Sequence, residues 1–150
     1  MTDERLFPQR PFLAVSAAIV RDGKVLVVRR ARHPALGVYT MPGGVVEAGE
    51  TLTEALQREV REETALEIAV AGLAGHREVV LRGADGRVER HFVILCFASR
   101  WIAGEPSLNE ELDEARWVTP AELAELKTTE GLLPIVEAAI AAIGDSERTA

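Results

Sequence analysis

The sequence predicts an α/β protein in which helices pack in layers on a mixed β-sheet. Three observations carry that prediction. Apolar runs at strand length dominate the middle of the chain, helical patterns flank them, and no linker or internal repeat divides the 150 residues. One domain spanning 1–150 follows, with short ends at about Met1–Arg10 and Asp145–Ala150 expected to be flexible. Hydrophobic residues make up 47% and charged residues 27%, which is ordinary for a globular core.

Phe12–Val20 and Lys24–Ala31 read as an antiparallel hairpin closed by Asp22-Gly23. Phe12–Val20 is too short to span a membrane and leads straight into that turn, so it is a strand and not a targeting segment. Arg32–Gly49 carries turn chemistry around Met41-Pro42-Gly43-Gly44. Thr51–Thr64 reads as a helix, with Thr51 at the N-cap and Glu54 at N3 of a capping box. Leu66–Leu81 and Val88–Trp101 read as strands around a loop holding Gly83, Asp85 and Gly86. Arg116–Val118 is a short strand, and Thr119-Pro120-Ala121-Glu122 opens another helix. A last helix, Leu132–Ile143, is expected to stop at Gly144.

The net charge of −7 argues against a nucleic-acid binder, which presents a basic face. It does not oppose a nucleotide substrate, because a bound divalent cation reverses the local sign. The lone Cys96, in an apolar run, reads as a small buried hydrophobe and allows no internal disulfide. A reducing, cytoplasmic setting follows as an expectation. His33, His76 and His91 match no zinc spacing.

The chemistry lies in Gly44–Leu66. At about 100° per residue, Leu52, Ala55, Leu56 and Val60 form the core-facing arc of the helix. Glu59 and Glu63 fall in the same arc, and Glu62 at its edge. These carboxylates sit near the negative end of the helix dipole, and Glu59 and Glu63 repel at i,i+4. An inward carboxylate is costly unless paired. A hard divalent cation, Mg²⁺ or Mn²⁺, answers all three objections. A solvated Glu-rich face, with Arg58 and Arg61 neutralising part of it, is the competing reading. The Pro42-Gly43-Gly44 turn strengthens the metal reading, since bare backbone approaches a cation or a phosphate closely.

Gly44, Glu50, Arg58-Glu59-Val60, Glu62-Glu63 and Leu66 together resemble the box of the Nudix hydrolase family. Ala65 stands where the family has Gly. The lead-in Gly37–Gly44 is also similar, with Tyr39 where Trp is common. The resemblance implies the Nudix fold, an α/β/α sandwich, and hydrolysis of a nucleoside diphosphate linked to another moiety. It implies Mg²⁺ or Mn²⁺ on Glu59, Glu62, Glu63 and the Gly43 carbonyl. Glu50 and Arg58 would hold the box together by ion pairing, which places Arg58 in the catalytic group with Glu59 and Glu63. The base varies in this family, and Ser107–Glu114 supplies Glu110, Glu111, Asp113 and Glu114, of which Glu111 is favoured. Arg29, Arg30 and Gly44 are the candidates for substrate contact. Tyr39, Phe7 or Phe12 could stack on a base or belong to the core.

The chain looks like the ADP-ribose pyrophosphatase-like subgroup, so ADP-ribose or a related nucleotide sugar is expected first. A MutT-like nucleoside triphosphate pyrophosphatase is the second expectation. The proline that ADP-ribose enzymes carry after the box is missing here, as are the diadenosine polyphosphate tyrosine and the NADH pyrophosphatase array. Two rivals from other classes are a non-catalytic nucleotide-binding Nudix module and an interaction protein with a solvated Glu helix. Many members of the family dimerise, but no segment here specifies an interface.

Overall fold

The computed structural model describes residues 4–33 and 35–149; of 145–149 it describes only the backbone. The hairpin expected at the start is there. Strand β1 (Phe12–Arg21) turns at Asp22 and Gly23, both at positive φ, into β2 (Lys24–Arg30). Positive φ at both corner positions matches the twist of the strands it joins. Short strands β3 (Tyr39–Thr40) and β4 (Gly43–Val45) follow, then helix α1 (Leu52–Thr64). Strands β5 (Glu67–Arg82) and β6 (Val88–Ala103) form a long hairpin. Strand β7 (Leu112–Val118), the single turn α2 (Pro120–Leu123) and helix α3 (Leu132–Thr149) complete the chain.

The sheet is mixed and runs β3-β2-β1-β6-β5, with β4 added beside β1 and β7 beside β2. β1 pairs in parallel with β6 along Phe12–Val20, the other pairings between these strands are antiparallel, and Tyr39 makes an isolated parallel bridge with Thr128. Both faces are covered, so β1 and β2 read as nearly continuous apolar runs. Val15, Ala17, Ile19, Leu26 and Val28 pack against Ala55, Leu56 and Val60 of α1. The alternate residues Ala18, Val20, Val25 and Val27 pack against Leu123 of α2 and Leu132, Val136, Ala139 and Ile143 of α3. Each of the larger side chains contributes about 1.5–3 kcal/mol by leaving water, which fixes α1 on one face and α3 on the other. The result is a helix–sheet–helix sandwich, as expected.

Most boundaries lie within two residues of the sequence reading, and two differ by more. β7 begins at Leu112 and not at Arg116, because the acidic stretch zips onto β2, with Arg29 opposite Glu114 and Arg30 opposite Leu112. Helix α3 does not stop at Gly144 but runs to Thr149, so residues 145–149 are helical and not a loose tail. A glycine within a helix costs only about 1 kcal/mol relative to alanine, and the fully buried Ile143 holds the turn before it. At the other end, part of the segment taken as loose is attached: the Phe7 amide donates to the Glu89 carbonyl at 2.9 Å. Cys96 is buried, and its sulfur accepts from Ser16 Oγ at 3.2 Å. Among the described residues, no helix is long and apolar enough to cross a membrane.

Candidate active site

Helix α1 starts where its capping box dictates. Thr51 Oγ1 accepts from the Glu54 amide and Glu54 Oε1 accepts from the Thr51 amide, each at 3.1 Å. Its buried residues Ala55, Leu56, Val60 and Thr64 fix its rotation against the sheet. That rotation carries Glu59 and Glu63 inward beside β4. The helix closes at Ala65, which takes the left-handed conformation (φ 64°) that suits a glycine, and its amide donates to the Arg61 carbonyl.

β4 pairs with β1 through Gly43 opposite Ser16 and Gly44 opposite Val15. Both glycines leave no free space for a β-carbon, but only at Gly43 is the obstruction backbone. A β-carbon on Gly43 would overlap the backbone of Val15 and Ser16, and one on Gly44 would overlap the Glu59 carboxylate. The Gly43 amide donates to Glu63 Oε2 at 3.4 Å. The turn and the carboxylates expected to act together are therefore in contact.

Arg58 organises the cluster. Its Nε and Nη2 grip the two oxygens of Glu50 at 2.6 and 2.8 Å, and Nη2 also donates to the Val45 carbonyl at 3.2 Å. Its Nη1 reaches Glu59 at 2.9 Å and Glu62 at 3.3 Å. Arg58 thus holds three carboxylates, Glu50, Glu59 and Glu62, in place. The guanidinium, helped by the Glu47 amide, draws the Glu50 carboxyl down to about 2. Glu59 is 15% exposed, and burial pushes its carboxyl up against the pull of Arg58. Glu63 rises further, to about 8, because burial and the neighbouring Glu59 charge both oppose ionisation. Glu62 is more open, at 58%.

The segment after β6 docks on the C-terminus of α1. The Ser107 amide donates to the Thr64 carbonyl at 2.9 Å and the Asn109 amide to the Glu63 carbonyl at 3.4 Å. Glu111 follows, held by its own amide to Asn109 Oδ1 at 3.0 Å and by its carbonyl, which accepts from Ala31. Its charge acts on Glu63, as does that of Arg30 with the opposite sign.

Glu59, Glu62, Glu63, Gly43, Gly44, Arg30, Arg58 and Glu111 all line one open cleft of about 1410 Å³. Arg29 does not. It alternates with Arg30 onto the other face of β2, where it pairs with Asp113 at 2.6 Å and Glu114 at 3.1 Å. The expectation that it meets substrate phosphate is corrected by that parity. Tyr39 is likewise in the core, with its hydroxyl donating to Glu114 Oε2 at 2.7 Å. Phe12 packs on Phe92, and Phe7 lies beneath the Arg87 guanidinium. Arg5, Arg32 and Arg77 line the cleft and were not expected there.

The donor set suits a hard divalent cation: carboxylate oxygens, one of them half-buried with a raised affinity for protons, beside bare glycine backbone. Among the described residues no three acidic, His or Cys side chains already converge as a cage. The Arg58 guanidinium stands between Glu59 and Glu62, and Glu63 turns to Gly43.

Comparison with known proteins shows the family and the fold. The NUDIX domain model matches residues 10–139. The ADP-ribose pyrophosphatase of Methanocaldococcus jannaschii is 36% identical over 107 residues, covering 71% of this chain and 61% of that protein. The match therefore spans well under the full length of that relative. A putative 8-oxo-dGTP diphosphatase 2 of Mycobacterium tuberculosis is 40% identical over 112 residues, covering 74% of this chain and 75% of that one. The crystal structure of a MutT NUDIX hydrolase from Burkholderia pseudomallei superposes with a TM-score of 0.69 at 26% identity, over 90% of this chain and 99% of that one. With a family match over nearly the whole chain, and the glycine turn and Glu helix of the box brought together in one cleft, this chain belongs to the NUDIX family.

Proposed function

We propose that the chain is a Mg²⁺- or Mn²⁺-dependent pyrophosphohydrolase acting on a nucleoside diphosphate linked to another moiety. The observation that carries this reading is Glu63, a half-buried carboxyl set between the Gly43 amide and the like charge of Glu59 on the inward side of α1. A structural role does not account for placing two like charges on an inward helix face. Glu59, Glu62, Glu63 and the Gly43 carbonyl would hold the cation. When bound, it neutralises diphosphate charge and makes a bound water more acidic.

The remaining roles belong to side chains. Arg30 and the bare backbone of Gly44 receive the diphosphate oxygens. Glu111, which lines the same cleft, takes the proton of the attacking water. The water oxygen bonds to phosphorus, the bridging P–O bond breaks, and the second phosphate leaves with the bridging oxygen. Arg58 keeps Glu59 and Glu62 in place throughout.

ADP-ribose or a related nucleotide sugar is the first substrate to test, supported by the Methanocaldococcus relative. A nucleoside triphosphate is the second, supported by the mycobacterial relative. The deciding experiment incubates the protein with Mg²⁺ and a panel of both classes, with Glu63→Gln as control. AMP plus ribose 5-phosphate from ADP-ribose supports the first reading. Pyrophosphate from a triphosphate moves the chain to the second. No product from any compound defeats the enzyme reading and leaves a nucleotide-binding module.

A further inference from the structure

The N-terminal segment ahead of β1 crosses the tip of the β5–β6 hairpin and returns to the cleft. Three features put it there. The Phe7 amide donates to the Glu89 carbonyl at 2.9 Å, the Arg87 guanidinium lies 4.0 Å from the centre of the Phe7 ring, and Phe7 itself is left-handed at φ 51°. Left-handed backbone is rare for a bulky residue and persists only where its surroundings impose it. Here it reverses the chain, so that Arg5, two residues earlier, lines the cleft and its charge acts on Glu59.

The anchor is weak. Phe7 is 49% exposed, and at that residue a backbone hydrogen bond and a surface cation–π contact are set against the strain. Such a nearly balanced segment settles firmly when a ligand adds a contact. The cationic end of the segment specifies that ligand as an anion. Arg30, at the end of β2, acts on the neighbouring Glu63, so guanidinium groups from two unrelated elements reach the carboxylate cluster.

We infer that Arg5 is a diphosphate-binding residue, and that the turn at Phe7 is the positioning device that delivers it. This rests on the reading that the cleft takes a diphosphate, and deepens it. The guanidinium would move from the field of Glu59 to oxygens of the bound diphosphate, closing the segment over it.

The test uses the full chain with Mg²⁺ and imidodiphosphate, in which N–H replaces the bridging oxygen, and measures binding by calorimetry. Arg5→Gln should weaken binding about tenfold, and Arg5→Lys by less, since one charge-assisted contact is lost or kept in poorer geometry. Phe7→Ala should weaken it in the same direction, and the Phe7→Ala/Arg5→Gln pair should be no worse than Arg5→Gln alone. With a turned-over substrate the loss should fall on KM. The proposal is overturned if wild type does not bind imidodiphosphate, if Arg5→Gln stays within about twofold of wild type, or if the two substitutions add. Absence of turnover on the whole panel would sink the hydrolase reading alone, because binding and its dependence on Arg5 are still measured.

Discussion

Gly44 lies under the carboxylate of Glu59 with no room for a β-carbon between them. The obstruction is the far end of a flexible side chain, whereas at Gly43 it is the backbone of Val15 and Ser16. The two neighbouring glycines therefore fail differently. Gly44→Ala should fold normally and swing Glu59 aside, lowering turnover by about 100-fold, the usual cost of a displacement near 1 Å in a reacting site. Gly43→Ala should separate β4 from β1 and lower the melting temperature. Thermal melts and steady-state kinetics on the pair check this. Equal melting losses would refute the distinction.

Glu63 gives the metal-free protein a pH signature. Its folded carboxyl titrates at about 8 against an ordinary 4.5, so the folded state keeps a proton that the unfolded state gives up. The stability it contributes is fully present below 4.5 and fades as pH rises through about 8. Urea unfolding in chelator should show that decline, and Glu63→Gln should flatten it. The same variant should lose at least about 100-fold in turnover with Mg²⁺ present. An unchanged pH slope in Glu63→Gln would show that the carboxyl is not held neutral.

The Glu50–Arg58 pair acts in the opposite direction. Glu50 is drawn down to about 2, so its contribution is present above 4.5 and lost as pH falls toward 2. Lysine cannot span Glu50, Val45 and Glu59 at once, as the Arg58 fork does. Arg58→Lys should melt a few degrees lower at neutral pH and lose about tenfold in activity, as outer supports of metal sites do. The melting gap should close near the acid limit; a constant gap would mean that packing, not pairing, is what Arg58 supplies.

Ala65 occupies a glycine conformation. Left-handed backbone costs alanine about 1–2 kcal/mol, and the extra freedom of an unfolded glycine takes back about 0.4–1 kcal/mol. Ala65→Gly should therefore stabilise the protein by up to about 1 kcal/mol with turnover unaffected. Chemical denaturation measures it, and a destabilised variant would show that the strain is relaxed elsewhere.

Much of this was legible before any coordinates. The capping box announced α1, the positive-φ pair Asp22-Gly23 announced the first hairpin, and the arc of the helix wheel placed Glu59 and Glu63 inward. What sequence spacing alone could not supply was partnership across the chain. Arg29 and Arg30 look equivalent until β2 is given faces; strict alternation from Leu26 and Val28 would have sent Arg30, not Arg29, toward α1. The acidic run Ser107–Glu114 offers candidate bases in the sequence but not its place in the sheet, because its partners, Arg29 and the carbonyls ending α1, lie far upstream. Arg5 carries no local signal, since the segment that bears it is held to the β5–β6 hairpin through Phe7, with Glu89 and Arg87 far downstream.

The parallel pairing of β1 with β6 has a kinetic consequence. Ser16 and Cys96 touch across 80 residues of chain, and no local turn can bring such strands together. Closing so large a loop is slow compared with zipping the β5–β6 hairpin or nucleating α1. The two glycines that shape the cleft are added to the other side of the same strand, β1. The cleft is therefore complete only once β1 has met β6 and β4 has joined its other edge. Refolding should recover helical signal in an early phase and competence to bind anions only in the last one.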